Sequence, residues 1–207
     1  MKKNITFKPW MIFLVTSLGV AMSTIDGGIV NVALPLMSRN FHVTISAVQW
    51  IVSSYLLAIC VLLPLSGYLG DLFTKRYIYL LGFWIFTIGS FLCGISFSLH
   101  SLIFFRFLQG IGAAMLIANN QAIIMLNFPK EKNGKALGIN AMTVAVGSIA
   151  GPAIGGILIG LLGWRSIFFI NIHLGLLGCY LGYQILPKDL SLSEYKFAFL
   201  GAITFAI

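Results

Sequence analysis

Apolar residues fall into six long runs along the chain, each long enough to cross a membrane. The hydrocarbon core of a bilayer is about 30 Å thick and needs about 20 helical residues to span it. Within lipid, a single run satisfies its backbone hydrogen-bonding groups only as a helix. The pattern therefore predicts six membrane-spanning helices, near residues 10–37, 47–70, 77–99, 101–127, 136–162 and 167–186.

A seventh apolar run begins at Phe197 and extends to the last residue, Ile207. As a helix it is about 16 Å long, which is half a span. We expect an N-terminal unit of six transmembrane helices over residues 1–186, followed by a cytoplasmic linker and the truncated start of helix 7 over residues 187–207. The predicted fold class is an all-α integral membrane bundle, and we expect the chain to be truncated or its reading frame interrupted.

The composition supports a membrane protein and limits the other classes of function. Of the 207 residues, 59% are hydrophobic and 9% are charged, whereas soluble domains carry about 25% charged residues. The net charge of +8 would favour nucleic-acid binding in a soluble protein, but these bases lie in short loops, where they set topology. The three cysteines lie far apart in apolar runs, so we expect no disulfide and no metal site.

The distribution of lysine and arginine between the loops predicts the orientation of the chain. Counted from an inside N-terminus, the inner segments carry ten bases, whereas the outer loops carry only Arg39 and Arg165. Short loops rich in bases remain in the cytoplasm. We therefore expect a multi-pass protein of the cell (plasma or inner) membrane, with its N-terminus in the cytoplasm.

Two opposite charges interrupt the apolar runs at similar depth. Asp26 is the one acid, and Arg106 the one base, inside a predicted span. From the rise of an α-helix, Asp26 lies about 6 Å and Arg106 about 9 Å below the outer edge of the core. Charges buried in a membrane are costly, and they pair or face a water-filled cavity. We expect these two to pair, either as a structural lock between helices 1 and 4 or as part of a functional site.

Helix 4 carries polar and small residues in helical register, beginning in the segment RFLQGIGAAM. Five residues of this helix share one face, a pattern that is typical of a cavity lining: Arg106, Gln109, Ala113, Ile117 and Asn120. Two further amides follow deeper in the helix. We expect Asn119 and Gln121 only to bridge neighbouring helices.

Helix 5 contains the segment GSIAGPAIGG, which combines small residues with a proline. Glycines recur there every four residues and form a groove for close packing against another helix. The residues expected at this packing surface are Gly147, Gly151, Pro152, Gly155 and Gly156. Because proline lacks an amide hydrogen, Pro152 leaves the carbonyl of Ser148 without its helical donor and kinks the helix.

Four local patterns, in order along the chain, together resemble the major facilitator superfamily, and most closely its 14-helix drug:proton antiporter branch. Helix 1 reads IDGGIVNVALP against D-x-T-I-V-N-V-A-L-P, with Gly28 in place of the threonine. Helix 4 fits the superfamily's R-x-x-q-G-x-g-a-a at every position, and helix 5 fits the antiporter signature g-x-x-x-G-P-x-x-G-G. The resemblance covers only the N-terminal half of such a transporter.

The fourth pattern, GYLGDLFTKR after helix 2, resembles the superfamily's G-x-L-a-D-r-x-G-r-k signature. The matching residues, which the resemblance assigns to a gating loop, are Gly67, Asp71, Lys75 and Arg76. Leu72 and Thr74 replace the usual arginine and glycine, which suggests a re-shaped gate. A carboxylate at the end of helix 2 can hold the bases and the start of helix 3 through charge and helix dipole. Alternatively, the Lys-Arg pair only fixes topology.

A weak internal sequence repeat agrees with the fold that the resemblance implies. Pro64-x-x-Gly67 in helix 2 and Pro152-x-x-Gly155 in helix 5 share one spacing. The two helices occupy equivalent positions in the 3+3 inverted repeat expected of each six-helix half. The expected bundle is therefore one half of a major facilitator fold.

The resemblance implies a secondary active transporter, with proton-coupled efflux of small hydrophobic or cationic compounds as the leading hypothesis. At the proton-coupling and substrate site it places Asp26, Arg106, Gln109 and Asn120. It implies no enzyme activity, no catalytic residue and no metal. It also implies no cofactor, because the proton gradient supplies the energy. The expected partners are the lipid bilayer, a small-molecule substrate and a missing C-terminal part of six or eight helices, and not nucleic acid.

Two alternatives stay open from the sequence. One is a fragment or regulatory half-protein that does not transport, because the superfamily transports at the interface of two six-helix halves. The other is a homodimer, in which a second copy supplies the second half. Multidrug, single-drug and metabolite exporters share these four signatures, so the signatures specify a class of transporter rather than a compound.

Overall fold

The computed structural model describes residues 7–188, which form six long helices without any strand. The helices are α1 (Phe7–Phe41), α2 (Ile45–Leu72), α3 (Lys75–Gly94), α4 (Leu99–Asn127), α5 (Lys130–Leu162) and α6 (Ser166–Ile185). All six are long and apolar enough to cross a membrane. The predicted all-α membrane bundle is thus confirmed, whereas the predicted start of a seventh helix lies outside the described residues.

Two helix boundaries differ from those predicted. α3 ends at Gly94 rather than near residue 99, and the chain turns there because Ser98 and Ser101 form a capping box at the start of α4. α5 begins at Lys130 rather than near residue 136, directly after Pro129. Hydropathy detects only the part of a helix that lies in lipid, so it misses the polar first turns of α5.

The packing of the helices repeats after three helices. α1 packs on α5 and α6, and α4 packs on α2 and α3 in the same way, while α3 and α6 contact each other. If α1, α2 and α3 are exchanged with α4, α5 and α6, each packed pair of helices becomes a packed pair again: α1 with α5 becomes α4 with α2, and α1 with α6 becomes α4 with α3. Because three spans cross the membrane an odd number of times, the second set runs inverted relative to the first, as a 3+3 inverted repeat requires.

α1 and α5 cross closely through glycines. A Cβ atom added at Gly151 would lie 2.8 Å from the carbonyl oxygen of Ile25, and one at Gly155 would lie 2.6 Å from Cγ1 of Ile29. Gly147 is equally crowded, because a Cβ there would overlap the hydroxyl of Thr24. These contacts place three of the predicted glycines at the crossing, where a larger residue would push the helices apart.

Gly156, which was also predicted at this packing surface, does not take part. A Cβ added there would meet nothing within 4 Å among the described residues. It lies one residue beyond Gly155, and about 100° around the helix from it, so it points away from α1. The repeated Pro-x-x-Gly motif in α2 also ends on an uncrowded glycine, because a Cβ at Gly67 would meet nothing within 4 Å among the described residues.

Two apolar clusters form the interior of the bundle. One contains Met22, Phe86 and Ala113, and the other contains Ile29, Cys93, Leu102 and Phe168. On α1, α3 and α4, the members of the first cluster lie on the opposite side of a short polar stretch from the members of the second. The bundle therefore has two apolar layers with one polar layer between them.

Candidate functional site

The polar layer between the two apolar clusters contains Asp26 and Arg106. Both side chains are fully buried, with 0% relative exposure, and Nη1 of Arg106 lies 2.5 Å from Oδ2 of Asp26. The ion pair that the depths of the two residues predicted is therefore present. It links α1 to α4 in the middle of the bundle.

Asp26 accepts two further hydrogen bonds, both on its other carboxylate oxygen. Nε2 of Gln109 donates to Oδ1 over 3.1 Å, and Nδ2 of Asn171 donates to the same atom over 2.7 Å. Hydrogen bonds to an ionised carboxylate are stronger than those between neutral groups. Three donors from α4 and α6 thus compensate part of the cost of burying this carboxylate, which would be high for an isolated charge.

Arg106 is held from several sides. Besides Asp26, its Nη1 donates to Oε1 of Gln109 over 2.8 Å, and its Nε donates to the carbonyl of Ile51 in α2 over 3.3 Å. Its guanidinium carbon lies 4.1 Å above the ring of Tyr55 and 5.9 Å from that of Phe168. Because aromatic faces attract cations, the two rings stabilise the charge while they exclude water.

Ser90 of α3 joins the layer from the opposite side. Its Oγ accepts from Nε2 of Gln109 and from Nδ2 of Asn171, each over 3.2 Å, and its hydroxyl donates to the carbonyl of Phe168 over 3.0 Å. A hydroxyl has one donor and two acceptor positions, and these contacts occupy all three. Ser90 thereby accepts from both amide nitrogens, which also donate to Asp26.

Ser90 and Asn171 were missed by the sequence argument, although it contained the signal that finds them. Ser90 lies four residues before the end of α3 and Asn171 five residues after the start of α6. Those positions lie about 6 Å and about 8 Å from the end of α3 and the start of α6, close to the depths expected for Asp26 and Arg106. The depth comparison covered charged residues only; extended to hydroxyls and amides, it would have included both.

The remaining members of the polar stripe on α4 do not belong to this layer. Asn120 lies about 21 Å along the helix from Arg106, and its Nδ2 donates to Oδ1 of Asn140 in α5 over 2.9 Å. Ala113 and Asn120 are buried against neighbouring helices, so the stripe does not form an open cavity wall in this conformation. Asn119 does bridge helices as predicted, because its Nδ2 donates to the carbonyl of Ser66 in α2 over 3.1 Å.

The α2–α3 turn carries the residues assigned to the gating loop. Asp71 forms an ion pair with Lys75, whereas Nη2 of Arg76 donates to the carbonyl of Tyr183 in α6 over 2.6 Å. Thr74, in place of the usual glycine, caps α3 by accepting from the amide of Tyr77. The carboxylate therefore holds one of the two bases, and the second base connects the turn to α6.

Gly28, which replaces the threonine of the helix 1 signature, faces α5 and not the Asp26 carboxylate. A Cβ added there would lie 3.3 Å from Cδ of Pro152 and 3.3 Å from the carbonyl oxygen of Ser148. That carbonyl is the one that Pro152 deprives of its helical donor. A side chain at this position would therefore crowd the close crossing of α1 and α5, next to the kink at Pro152.

Among residues 7–188, no three His, Cys, Asp or Glu side chains lie close enough together to hold a metal ion. Cys60, Cys93 and Cys179 are free thiols. The chemistry that this layer offers is therefore that of a buried acid, with a paired base and polar neutral neighbours. Such a group can bind and release a proton or hold a polar ligand.

Comparison with known sequences identifies related transporters. The Major Facilitator Superfamily sequence model matches residues 16–196. The riboflavin transporter RibZ of Clostridioides difficile (strain 630) is 41% identical over 198 residues, which cover 95% of this chain and 43% of RibZ. The multidrug resistance protein Stp of Mycobacterium tuberculosis (strain CDC 1551 / Oshkosh) is 35% identical over 195 residues, which cover 94% of this chain and 36% of Stp. The chain thus spans less than half the length of these relatives.

Solved structures show the same fold. A bacterial homologue of the human lysosomal transporter Spinster, in an inward-facing and occupied conformation, matches with a TM-score of 0.79 at 22% identity, over 92% of this chain and 47% of that one. The proton:xylose symporter XylE matches with a TM-score of 0.77 at 16% identity, over 87% and 45%. The resemblance inferred from the four motifs is confirmed at the level of the superfamily. From the match over residues 16–196, the chain belongs to the Major Facilitator Superfamily of membrane transporters.

Proposed function

We propose that this chain contributes the proton-coupling part of a secondary transporter that exports small hydrophobic, often cationic compounds across the cell membrane. The observation that carries the proposal is the setting of Asp26, fully buried and held by Arg106, Gln109 and Asn171. An acid at this depth is costly, and acids inside transporter helices mark proton and ion pathways. The relative Stp is a multidrug resistance protein, which favours efflux of drug-like compounds.

In this proposal Asp26 alternates between an ionised and a protonated form as the transporter opens to either side. The ionised form pairs with Arg106 and ties α1 to α4, as in the conformation described above. A bound proton cancels the charge of the acid and weakens that tie. Because α1 and α4 belong to the same six-helix half, loosening their contact would change the surface that this half presents to the other half, against which it moves during alternating access.

The orientation and the gating loop form part of the same proposal. With the N-terminus in the cytoplasm, the α2–α3 turn lies at the inner surface, where the excess of bases is expected. Gly67, Asp71, Lys75 and Arg76 would then control access from the cytoplasm. The contact of Arg76 with Tyr183 supports this role, since a movement of α3 against α6 would break it.

Transporters of this superfamily are not enzymes and generally need no cofactor, and they are longer than this chain. RibZ and Stp are each more than twice as long as the segment that matches. In the proposed transporter, a further set of helices supplies the other wall of the substrate pathway, with the proton gradient as the source of energy. The lipid bilayer surrounds both parts.

The proposal is tested by neutralising Asp26 in a chimera that joins this chain to the remaining part of Stp. We expect Asp26→Asn to abolish the efflux of a lipophilic dye cation driven by an imposed pH gradient in proteoliposomes, because the amide cannot exchange a proton. The matched control is Glu131→Gln, which neutralises an exposed acid in the first turn of α5 and should leave efflux unchanged. Undiminished gradient-driven efflux by Asp26→Asn would contradict the proposal.

A second candidate substrate follows from the similarity to RibZ. At 41% identity over 95% of this chain, the relative named a riboflavin transporter favours a planar, uncharged heterocycle over a cation. The acid in the polar layer is neutralised by Arg106, which also suits an uncharged substrate. If the Stp chimera moves riboflavin, and does so in preference to dye cations, this chain selects the flavin; transport of dye cations alone would favour the first candidate.

A further inference from the structure

In the polar layer, Asp26 is the acceptor in each of its hydrogen bonds with the described residues. Arg106 donates to Oδ2, and the amide nitrogens of Gln109 and Asn171 donate to Oδ1. A protonated carboxyl group, in contrast, has a hydroxyl that must donate to an acceptor. The arrangement thus fits the ionised acid, and a proton on Asp26 requires at least one neighbour to change its role.

The three neighbours differ in whether they can make that change. Arg106 has donors only. The oxygen of Gln109 already accepts from Nη1 of Arg106 over 2.8 Å, and Sγ of Cys93 lies 3.7 Å from it, so turning this amide over would bring its nitrogen against the guanidinium. Asn171 differs from Gln109 in this respect: among the described residues it makes no hydrogen bond with Arg106, and its nitrogen donates to Asp26 and to Ser90.

We propose that Asn171 is a positioning residue that changes from donor to acceptor when Asp26 binds a proton. The inference rests on the proposed function, in which Asp26 is the proton carrier. A proton from water binds Oδ1 of Asp26. The Asn171 amide turns over, so that its oxygen occupies the place of its nitrogen and accepts the new hydroxyl hydrogen, while Gln109 continues to donate.

Ser90 accommodates this exchange by rotating its hydroxyl hydrogen. Its hydroxyl now donates to the carbonyl of Phe168 over 3.0 Å and accepts from Nδ2 of Asn171 over 3.2 Å. When the amide turns over, the Ser90 hydroxyl rotates from Phe168 to the Asn171 oxygen. Both hydrogen bonds of Asn171 therefore reverse direction together. The orientation of a side chain on α6 thus depends on the charge of an acid on α1.

The other groups around Asp26 do not provide the acceptor. Arg106 of α4 carries the facing charge, and Tyr55 of α2 and Cys93 of α3 are the titratable groups near enough to interact with it. Tyr55 already donates to the carbonyl of Ser23 over 3.0 Å. α5 has no titratable residue between positions 147 and 157, and His173 of α6 is exposed.

The test is a pH titration of the chain in detergent by infrared difference spectroscopy, with Asp26→Asn identifying the carboxyl band of Asp26. We expect the Asn171 side-chain carbonyl band to change together with that carboxyl band. In Asn171→Leu, which has neither donor nor acceptor, the midpoint should move to higher pH by about one unit, because a hydrogen bond to the ionised acid is the stronger of the two that are lost. In the isosteric Asn171→Asp, whose ionised side chain lacks the donor and adds a like charge, the two acids should titrate in two steps, and the upper step should lie further above the wild-type midpoint.

The matched control is Asn119→Leu, a buried amide whose contacts are to backbone carbonyls; it should leave the midpoint and the Asn171 band unchanged. An unchanged midpoint in both Asn171 variants, or an Asn171 band that does not respond to pH, would overturn the inference. Either result leaves the proposed function standing if Asp26→Asn still abolishes gradient-driven efflux in the chimera. Efflux that survives Asp26→Asn contradicts the proposed function instead.

Discussion

Two regions of the molecule place an acid beside bases, and they differ in how much protein surrounds them. In the polar layer, Asp26 and Arg106 are both completely buried. At the α2–α3 turn, the Asp71 side chain is 53% exposed, although that of Lys75 is only 6% exposed. The first pair joins helices that are far apart in sequence, and the second joins residues four positions apart.

The difference shows where a charge has structural and functional consequences. Exposed ion pairs contribute about 0–1 kcal/mol, because water and salt compete with them. A buried pair offsets the cost of desolvating two charges, so removing one partner leaves the other in a costly state. Neutralising Asp26 should therefore destabilise the bundle, whereas neutralising Asp71 should have little effect. This contrast is why we assign proton coupling to the first pair.

The largest effect is expected from breaking the buried pair on one side only. Arg106→Met should destabilise the chain by about 3–5 kcal/mol, because it leaves Asp26 buried without its base. The double variant Arg106→Met with Asp26→Leu should recover most of that loss. Thermal unfolding in detergent measures both. A double variant no more stable than Arg106→Met would contradict the claim that charge, and not side-chain packing, dominates this layer.

An intermediate effect is expected at Arg76, which is buried although it lies in the first turn of α3. Its guanidinium donates to the carbonyl of Tyr183 over 2.6 Å and lies 5.4 Å from the ring of the same residue. Arg76→Met keeps the length of the side chain but loses both contacts, which should cost about 1–3 kcal/mol. The same unfolding assay checks this, with Arg76→Lys as the control that keeps the charge. If Arg76→Met lowered the stability no more than the loss of an exposed ion pair does, the contacts of Arg76 would contribute as little as those of Asp71, and the prediction would be wrong.

The smallest effect is expected at Asp71. Asp71→Asn removes the half-exposed partner of Lys75, so stability should fall by about 1 kcal/mol or less. The difference from wild type should shrink further as salt is raised, because dissolved ions compete with and screen a partly exposed ion pair. Unfolding at low and high salt tests this. A loss as large as that of Arg106→Met would remove the contrast between the two regions.

Much of the fold follows from the sequence, because a segment that crosses lipid must be a helix of about 20 apolar residues. Six spans are visible as apolar runs, and the pairing of Asp26 with Arg106 follows from counting residues to the outer edge. The start of α5 at Lys130 was not predictable from hydropathy, since polar turns of a helix outside lipid resemble a loop. Gly156 was placed at the packing surface because it is part of the motif, but its direction depends on where α1 crosses.

The candidate site was predicted less completely than the fold. Charge identified one residue on each of two helices, Asp26 and Arg106. The motif resemblance added Gln109 and Asn120, of which Gln109 lies in the polar layer. Ser90 and Asn171 are neutral, and isolated hydroxyls and amides are common in membrane helices, so neither residue was selected on its own. Their importance comes from a shared depth and from contacts to one carboxylate, which arise only when four helices pack together.

The central claim is that Asp26 carries the coupled proton, and counting protons tests it most directly. In weakly buffered proteoliposomes that contain the Stp chimera, outward movement of a dye cation should drive protons in the opposite direction, and a pH-sensitive dye reports them. We predict that this proton movement disappears in Asp26→Asn and persists in Glu131→Gln. Proton counterflow of wild-type size in Asp26→Asn would show that another group carries the proton, and would contradict the account.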